Sequence, residues 1–171
     1  VTDGDTRRLT KPDRAPGFAL SFNSCRPYSA GSVYIKSSDA ATPPAIHGNY
    51  LDDQRDIDDV LRMARFIGRM QNSPSVQKLL AAPPETNLLA LSDNEIIDDF
   101  RARSGTVFHP CGTCRMGPDR RHSVVDPQLR VHGVGKLRVA DAAIFPNITS
   151  ANTNAPTIAV AHKAASLILQ R

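Results

Sequence analysis

The chain has 171 residues and a formal net charge of +4, with 22% charged and 40% hydrophobic residues. This length suits one ordinary domain, or one domain with an appended piece. The arginines are scattered and few aromatic residues lie among them, which disfavours nucleic-acid binding. No apolar run approaches the roughly 20 residues that a transmembrane helix needs, so we expect no transmembrane segment and no nucleic-acid partner.

The number of cysteines indicates a reducing compartment. Cys25, Cys111 and Cys114 are too few for a disulfide framework and cannot all pair. We therefore expect free thiols in a reducing compartment, and hence a cytoplasmic protein, with peripheral association with the inner membrane as an open alternative. The first residues contain neither an initiator Met nor a secretory leader, so we expect a processed chain or a piece of a longer one.

The first 50 residues predict a linker and a hairpin. Residues 1–16 are polar and contain two prolines, which is typical of a linker-like lead-in. Two β-leaning runs follow, Phe18–Phe22 and Ser32–Lys36, and the segment Arg26–Gly31 between them is rich in turn residues. The pattern predicts two antiparallel strands joined by that turn.

Two helices are predicted next. Asp52 and Asp53 can cap a helix over about 53–71, in which apolar residues recur at helical spacing. The run Ser92-Asp-Asn-Glu95 is a capping box, because the Ser hydroxyl and the Glu carboxylate can each bind a free backbone N–H. It predicts a second helix that ends at about Arg103.

The second half predicts two short strands and a terminal helix. The strands are Thr106–His109 and Leu137–Ala140, and the helix is Ala155–Leu169 with Pro156 in its first turn. Strands and helices are segregated along the chain, which favours the α+β class over a doubly wound sheet. Three residues could cap the last helix: Asn152, Thr153 and Asn154.

The stretch Phe108–Gly117, FHPCGTCRMG, raises the question of a metal or redox site. Cys111 and Cys114 have a zinc-ligand spacing, but a structural zinc site needs four ligands and the sequence has no second pair. A zinc deaminase would need His-x-Glu upstream, and His47 is followed by Gly and Asn. A redox dithiol would need a helix N-terminus. We therefore expect no metal, and interpret both thiols as small packing groups, with a stand-alone zinc- or ligand-binding module as the alternative.

His109 suggests a different chemistry. A neutral imidazole can accept the proton of an alcohol if another group holds the hydroxyl and an acceptor takes the hydride. The polar segment Ser150–Pro156 could supply that group, because an amide can bind an alkoxide and a helix N-terminus offers donors to an electron-rich cofactor. From spacing alone, a helix cap remains the alternative role for Asn152 and Asn154.

Several motifs resemble the C-terminal region of the glucose-methanol-choline oxidoreductases, and within that family the choline dehydrogenase-like alcohol dehydrogenases. Four motifs stand in the family's order: His109-Pro-Cys-Gly-Thr-Cys-Arg-Met-Gly117, Val125-Asp-Pro-Gln-Leu-Arg-Val-His-Gly133, Leu137-Arg-Val-Ala-Asp-Ala-Ala-Ile-Phe-Pro146 and Asn152-Thr-Asn-Ala-Pro-Thr157. Arg26-Pro-Tyr-Ser-Ala-Gly-Ser-Val33 and Pro44-Ala-Ile-His-Gly-Asn-Tyr-Leu51 also resemble family segments, so the likeness covers nearly everything after about residue 17.

The resemblance implies a flavoprotein that oxidises a primary alcohol, choline-like or other, by passing hydride to N5 of FAD. His109 falls on the family's active-site histidine, which handles the hydroxyl proton. Asn152 falls on its partner position, which binds the substrate oxygen. Five further residues fall on positions that contact FAD: Asp141, Ala142, Asn154, Pro156 and Thr157.

The resemblance also implies a domain organisation. Residues from about 17 to 135 would form part of a mainly antiparallel substrate-domain sheet with covering helices, and residues from about 136 to 171 would return to an FAD-binding domain. The 171 residues contain no Gly-x-Gly-x-x-Gly, so the N-terminal Rossmann domain is absent from them. We expect that domain in the same or a partner chain, and expect this chain to be inactive alone. Cys111 stands where the family has an aliphatic residue such as Val.

Overall fold

The computed structural model describes residues 17–169, which fall into two compact units. The first contains residues 17–24 and 51–107, and the second contains residues 25–50 and 108–169. The linker-like lead-in predicted for residues 1–16 lies outside the described residues. Helices and a two-stranded antiparallel sheet make up the regular structure of residues 17–169, which confirms the α+β class.

The first unit is helical. It contains α1 (Gln54–Gln71), α2 (Pro74–Gln77) and α3 (Asp93–Arg103). α1 packs against α3, and their apolar stripes bury a shared set of residues together with one residue of the intervening loop: Val60, Ala64, Ile67, Leu88, Ile96 and Ile97. Full burial of a side chain the size of Ile96 contributes about 1.5–3 kcal/mol, so burial of these side chains favours the packing of α1 on α3.

Both predicted helices are confirmed, with their caps. Asp53 accepts a hydrogen bond from the backbone N–H of Arg55 at the start of α1. Hydrogen bonds from Arg55 lower the pKa of Asp53 to about 2. At the start of α3, Ser92 accepts from the N–H of Glu95, and the Glu95 carboxylate accepts from the N–H of Ser92 at 2.8 Å. Hydrogen bonds from the Ser92 hydroxyl, at 2.7 Å, and from the Ser92 N–H lower the pKa of Glu95.

The hairpin of the second unit differs from the predicted one. β1 (Ser32–Tyr34) pairs antiparallel with β2 (Ala45–His47), with Val33 opposite Ile46. The chain reverses at Asp39, whose carboxylate accepts from the N–H of Ala41 at 3.0 Å. The predicted partner strand, Phe18–Phe22, is wrong: this segment lies in the first unit and has no strand pairing there. The Phe22 ring instead stacks on Phe100, with centroids 5.7 Å apart.

The core of the second unit lies between a long, mostly irregular segment and the last helix. That helix, α4 (Asn154–Leu169), is confirmed and begins one residue before the predicted start. A 3₁₀ turn, Ala142–Ile144, precedes it. The buried residue of α4, Ala164, packs with four others: Val125, Leu129, Ile144 and Phe145.

Two further predicted strands are wrong. Thr106–His109 is irregular, and Phe108 has φ 60°, a left-handed conformation that breaks an extended run. Leu137–Ala140 forms one isolated bridge, between Arg138 and Arg130, directly after Lys136, which has φ 63°. Both segments have strand-like composition, but a residue with left-handed backbone lies in or next to each, and neither segment forms a strand ladder.

Candidate active site

The loop that carries His109 is held against the core of the second unit. The backbone N–H of Cys114 donates to the carbonyl of Ala143 at 2.9 Å, and that of Met116 donates to the carbonyl of Ile144 at 2.8 Å. Gly112 has φ 86°, a conformation that glycine adopts at little cost. These contacts fix the segment just after His109, and its half-buried imidazole lies at the start of α4.

The segment before α4 is tied to a distant part of the same unit. Arg26 donates to Ser150 Oγ through Nε at 3.1 Å and through Nη2 at 2.9 Å. Asn152 then bends the chain into α4, because its Oδ1 accepts from the backbone N–H of Asn154 at 2.9 Å. The Arg26 contact therefore anchors the loop that presents Asn152.

The two predicted catalytic residues come together. Asn152 Nδ2 lies 3.0 Å from His109 Nε2. Because Oδ1 of the same amide is already bonded to the N–H of Asn154, the amide nitrogen faces the ring. The pair therefore consists of an N–H donor beside a ring nitrogen that must accept.

Thr153 is a third member of the site. Its Oγ1 lies 3.0 Å from His109 Nδ1, so the imidazole is hydrogen-bonded on both nitrogens. Thr153 is buried, with 6% of its surface exposed. From the sequence it is considered only as a helix cap. A signal was present: Pro156, in the first turn, has no N–H for a capping hydroxyl to bind.

The five predicted cofactor residues fall on two elements. Asp141 and Ala142 lie at the 3₁₀ turn, where the Asp141 carboxylate accepts from the N–H of Ala143 at 2.8 Å. Asn154, Pro156 and Thr157 lie in the first turn of α4, beside the catalytic candidates. No hydrogen bond among residues 17–169 joins Asp141 to His109.

Thr157 is bonded within α4, because its hydroxyl donates to the carbonyl of Thr153 at 2.7 Å. Asn154 is exposed and Pro156 is half-buried. The exposed amide and the helix N-terminus together offer donors to an electron-rich group.

The three cysteines are free and half-buried. Cys111 packs against the core of the second unit, and burial raises the pKa of its thiol. A raised pKa disfavours the thiolate that a redox dithiol or a metal ligand requires. Within the described chain, no three His, Cys, Asp or Glu side chains are grouped so that they could hold a metal ion.

His132 has a structural contact. Its Nε2 lies 3.2 Å from the carbonyl oxygen of Gly117, and the Ser123 hydroxyl donates to the same carbonyl at 2.9 Å. These bonds hold the turn after the Cys-containing loop. Because a carbonyl oxygen can only accept, His132 Nε2 is the donor in its contact with Gly117.

No helix among residues 17–169 combines the length and the apolarity needed to cross a membrane.

Comparison with known families identifies the chain. Residues 27–161, well over half of it, match the family model for GMC oxidoreductases, in its C-terminal part. The chain belongs to the GMC (glucose-methanol-choline) oxidoreductase family. The resemblance carried by the four motifs is therefore confirmed.

Similar proteins include alcohol and choline dehydrogenases and an FAD-dependent oxidoreductase. The chain is 39% identical over 155 residues to an alcohol dehydrogenase (acceptor) from Pseudomonas putida, which covers 91% of this chain and 28% of that protein. It is 38% identical to an oxygen-dependent choline dehydrogenase from Klebsiella pneumoniae, with the same coverage of 91% and 28%. A solved FAD-dependent oxidoreductase from Chaetomium thermophilum superposes with a TM-score of 0.75 at 30% identity, covering 84% of this chain and 25% of that one. The chain thus spans about 28% of the length of these curated relatives.

Proposed function

We propose that this chain is the C-terminal part of an FAD-dependent alcohol dehydrogenase or oxidase that oxidises a primary alcohol, choline-like or other. His109 accepts the hydroxyl proton and Asn152 binds the alcohol oxygen. One observation carries the proposal: the 3.0 Å separation of His109 Nε2 and Asn152 Nδ2. The similarity to alcohol and choline dehydrogenases supports the substrate class.

The pair is chemically complementary to a hydroxyl group. A hydroxyl has one hydrogen to donate and lone pairs to accept with. Nε2 of His109 can take that hydrogen, and the Asn152 N–H can bond to the oxygen as it gains negative charge. A donor that faces developing charge stabilises the transition state more than the ground state. Both nitrogens therefore have a role when the alcohol becomes an aldehyde.

The residues present fit part of an FAD site. The first turn of α4 carries the exposed Asn154 amide at a helix N-terminus, whose dipole favours negative charge, and both features suit the electron-rich edge of a flavin ring. Pro156 and Thr157 lie in the same turn, and Asp141 and Ala142 would contact the diphosphate and ribityl chain. FAD, when bound, supplies the acceptor for the hydride that leaves the alcohol carbon.

Most of the FAD site must come from other residues. The 171 residues contain no Gly-x-Gly-x-x-Gly to bind the ADP part. An FAD-binding domain in the same or a partner chain would supply it, and these residues alone would not turn over. In this arrangement residues from about 17 to 135 serve the substrate domain, and those from about 136 to 171 return to the FAD domain.

Exposed apolar side chains on the second unit support the proposal that another part of the protein packs against it. Ile158 of α4 is 61% exposed, and Ile46 of β2 is 71% exposed. An FAD domain against α4 and further strands beside β1 and β2 would cover such side chains. The free thiols support a reducing compartment, so we place the protein in the cytoplasm, with peripheral attachment to the inner membrane as the alternative.

The test is alcohol-dependent reduction of bound flavin. The complete polypeptide that contains these residues would be purified and mixed anaerobically with a panel of primary alcohols, including choline and an aryl alcohol. We expect bound FAD whose absorbance bleaches with at least one alcohol of the panel. A purified protein that binds no flavin, or whose flavin no alcohol reduces, would overturn the proposal.

A further inference from the structure

The geometry points to Thr153 as a positioning residue that holds the His109 imidazole in the tautomer with hydrogen on Nδ1. This leaves the Nε2 lone pair for the substrate proton. The inference rests on the proposed function for its catalytic consequence. Its structural part concerns two hydrogen bonds and can be tested separately.

The Asn152 amide determines which imidazole nitrogen must accept. Its Oδ1 accepts from the N–H of Asn154 at 2.9 Å, so rotating the amide by half a turn would set two N–H groups against each other. The NH₂ group therefore faces His109 Nε2 at 3.0 Å, and Nε2 must be without hydrogen. A neutral imidazole carries one hydrogen, which then resides on Nδ1.

Thr153 supplies the acceptor for that hydrogen. Its Oγ1 lies 3.0 Å from Nδ1. The residue just before a helix commonly uses its hydroxyl to bind an N–H two or three positions on. Here Pro156 occupies the third position and has no N–H, which leaves the Thr153 hydroxyl available to the histidine.

Burial makes the contact consequential. Thr153 is only 6% exposed, so water has little access to its hydroxyl side of the ring. Without the hydroxyl, an Nδ1–H group would lack a partner, and the imidazole would gain by moving the hydrogen to Nε2 or by turning. Either change removes the base from the substrate side, because an Nε2–H tautomer cannot accept the alcohol proton.

The expected effect is on the chemical step. Residues that orient a metal-bound histidine through its second nitrogen typically contribute about 10- to 100-fold in affinity or activity, and we expect an effect of the same order here. Thr153→Val, which removes the hydroxyl and keeps the shape, should lower kcat by that factor and leave KM within about threefold. Thr153→Ser, which restores a hydroxyl, should recover most of the rate.

The experiment uses the complete flavoprotein and two readouts. Anaerobic flavin reduction gives the rate, and nitrogen NMR of histidine-labelled protein gives the tautomer of His109, assigned with a His109→Gln variant. Thr149→Val is the matched control, because Thr149 is a half-buried threonine of the same loop whose hydroxyl bonds to the carbonyl of Ala151 at 3.4 Å. It should leave both readouts unchanged.

The outcomes separate this inference from the proposed function. An Nδ1–H signal in the wild type that is lost or mixed in Thr153→Val and returns in Thr153→Ser supports the inference, even if no alcohol reduces the flavin. An Nε2–H signal in the wild type overturns it, and that measurement needs no folded variant. Unchanged kcat and tautomer in Thr153→Val also overturn it, whereas loss of all alcohol activity in the wild type overturns only the proposed function.

Discussion

His109 and Asn152 are 43 positions apart in the chain, yet their Nε2 and Nδ2 atoms are 3.0 Å apart. Two separate anchors produce this proximity. The loop after His109 is bonded to the 3₁₀ turn through Cys114 and Met116, and Asn152 is fixed by the N–H of Asn154. In the proposed reaction, the donor and the acceptor would thus be in place before the alcohol binds, which would reduce the reorganisation needed.

Asn152→Asp should keep the bond of residue 152 to the N–H of Asn154 and remove its N–H donor beside His109. Aspartate keeps an oxygen for the N–H of Asn154, so the start of α4 should survive. It replaces the N–H donor by a carboxylate, and loss of one such donor costs about 10²- to 10³-fold in kcat. The measurement is the rate of anaerobic flavin reduction at saturating alcohol.

Asn147→Asp is the matched control for this change. Asn147 Oδ1 accepts from the N–H of Ile148 at 2.9 Å, and Asn147 has no hydrogen bond to His109. It should reduce flavin at the wild-type rate. Equal rates in the Asn152 variant and the wild type would show that the amide N–H has no part in the reaction.

Local signals in the sequence were sufficient for α1, α3 and α4, whereas the four-residue α2 was not predicted. α1 and α3 follow from apolar spacing and from caps within three residues, at Asp53 and at Ser92 with Glu95. Strand pairing is not local. Phe18–Phe22 has the composition of a strand but pairs with no other strand among the described residues. The pairing of Val33 with Ile46 depends on the turn at Asp39.

The candidate site likewise depends on contacts that are not local in the sequence. His109 and Asn152 were found through a resemblance, because residues so far apart in the chain give no pairing signal of their own. Thr153 was missed as a contact of His109, since a threonine before a helix has a common capping role. Only the position of His109 Nδ1 shows that its hydroxyl bonds elsewhere.

Cys111→Val should be tolerated and should not change the metal content. Cys111 packs on the core that contains Val125 and Ile144, and a swap of similar volume in such a place usually costs below about 1.5 kcal/mol. Cys111→Asp, which puts a charge there, should destabilise far more. Thermal unfolding measures the stability of each variant, and elemental analysis measures its zinc content. Stoichiometric zinc in the wild type that disappears in Cys111→Val would support the zinc-module alternative instead.

Ser92→Ala should weaken α3 by about 1 kcal/mol, the usual value of a helix N-cap. Ser104→Ala, at the other end of α3, is the control, since its side chain makes no hydrogen bond there among the described residues. Denaturant unfolding at neutral pH measures both. Equal stability of the two variants would contradict a working capping box.

The capping box also has a defined pH dependence. Hydrogen bonds from Ser92 lower the pKa of Glu95 below its ordinary value of 4.5. The contribution of Glu95 is therefore fully present above pH 4.5 and is lost as the pH falls through the lower folded-state pKa. The stability difference between the wild type and Ser92→Ala should narrow on acidification over that range, and a difference that widens would contradict the assigned contacts.

The most direct test of the account is the rate of flavin reduction by alcohol in His109→Ala, measured anaerobically in the complete flavoprotein. His162→Ala, an exposed histidine of α4, is the control and should behave as the wild type. Loss of a positioned base typically costs about 10²- to 10⁴-fold, so we expect a rate lower by that factor with FAD still bound at the wild-type stoichiometry. A near-normal rate in His109→Ala would contradict the assignment of His109 as the base.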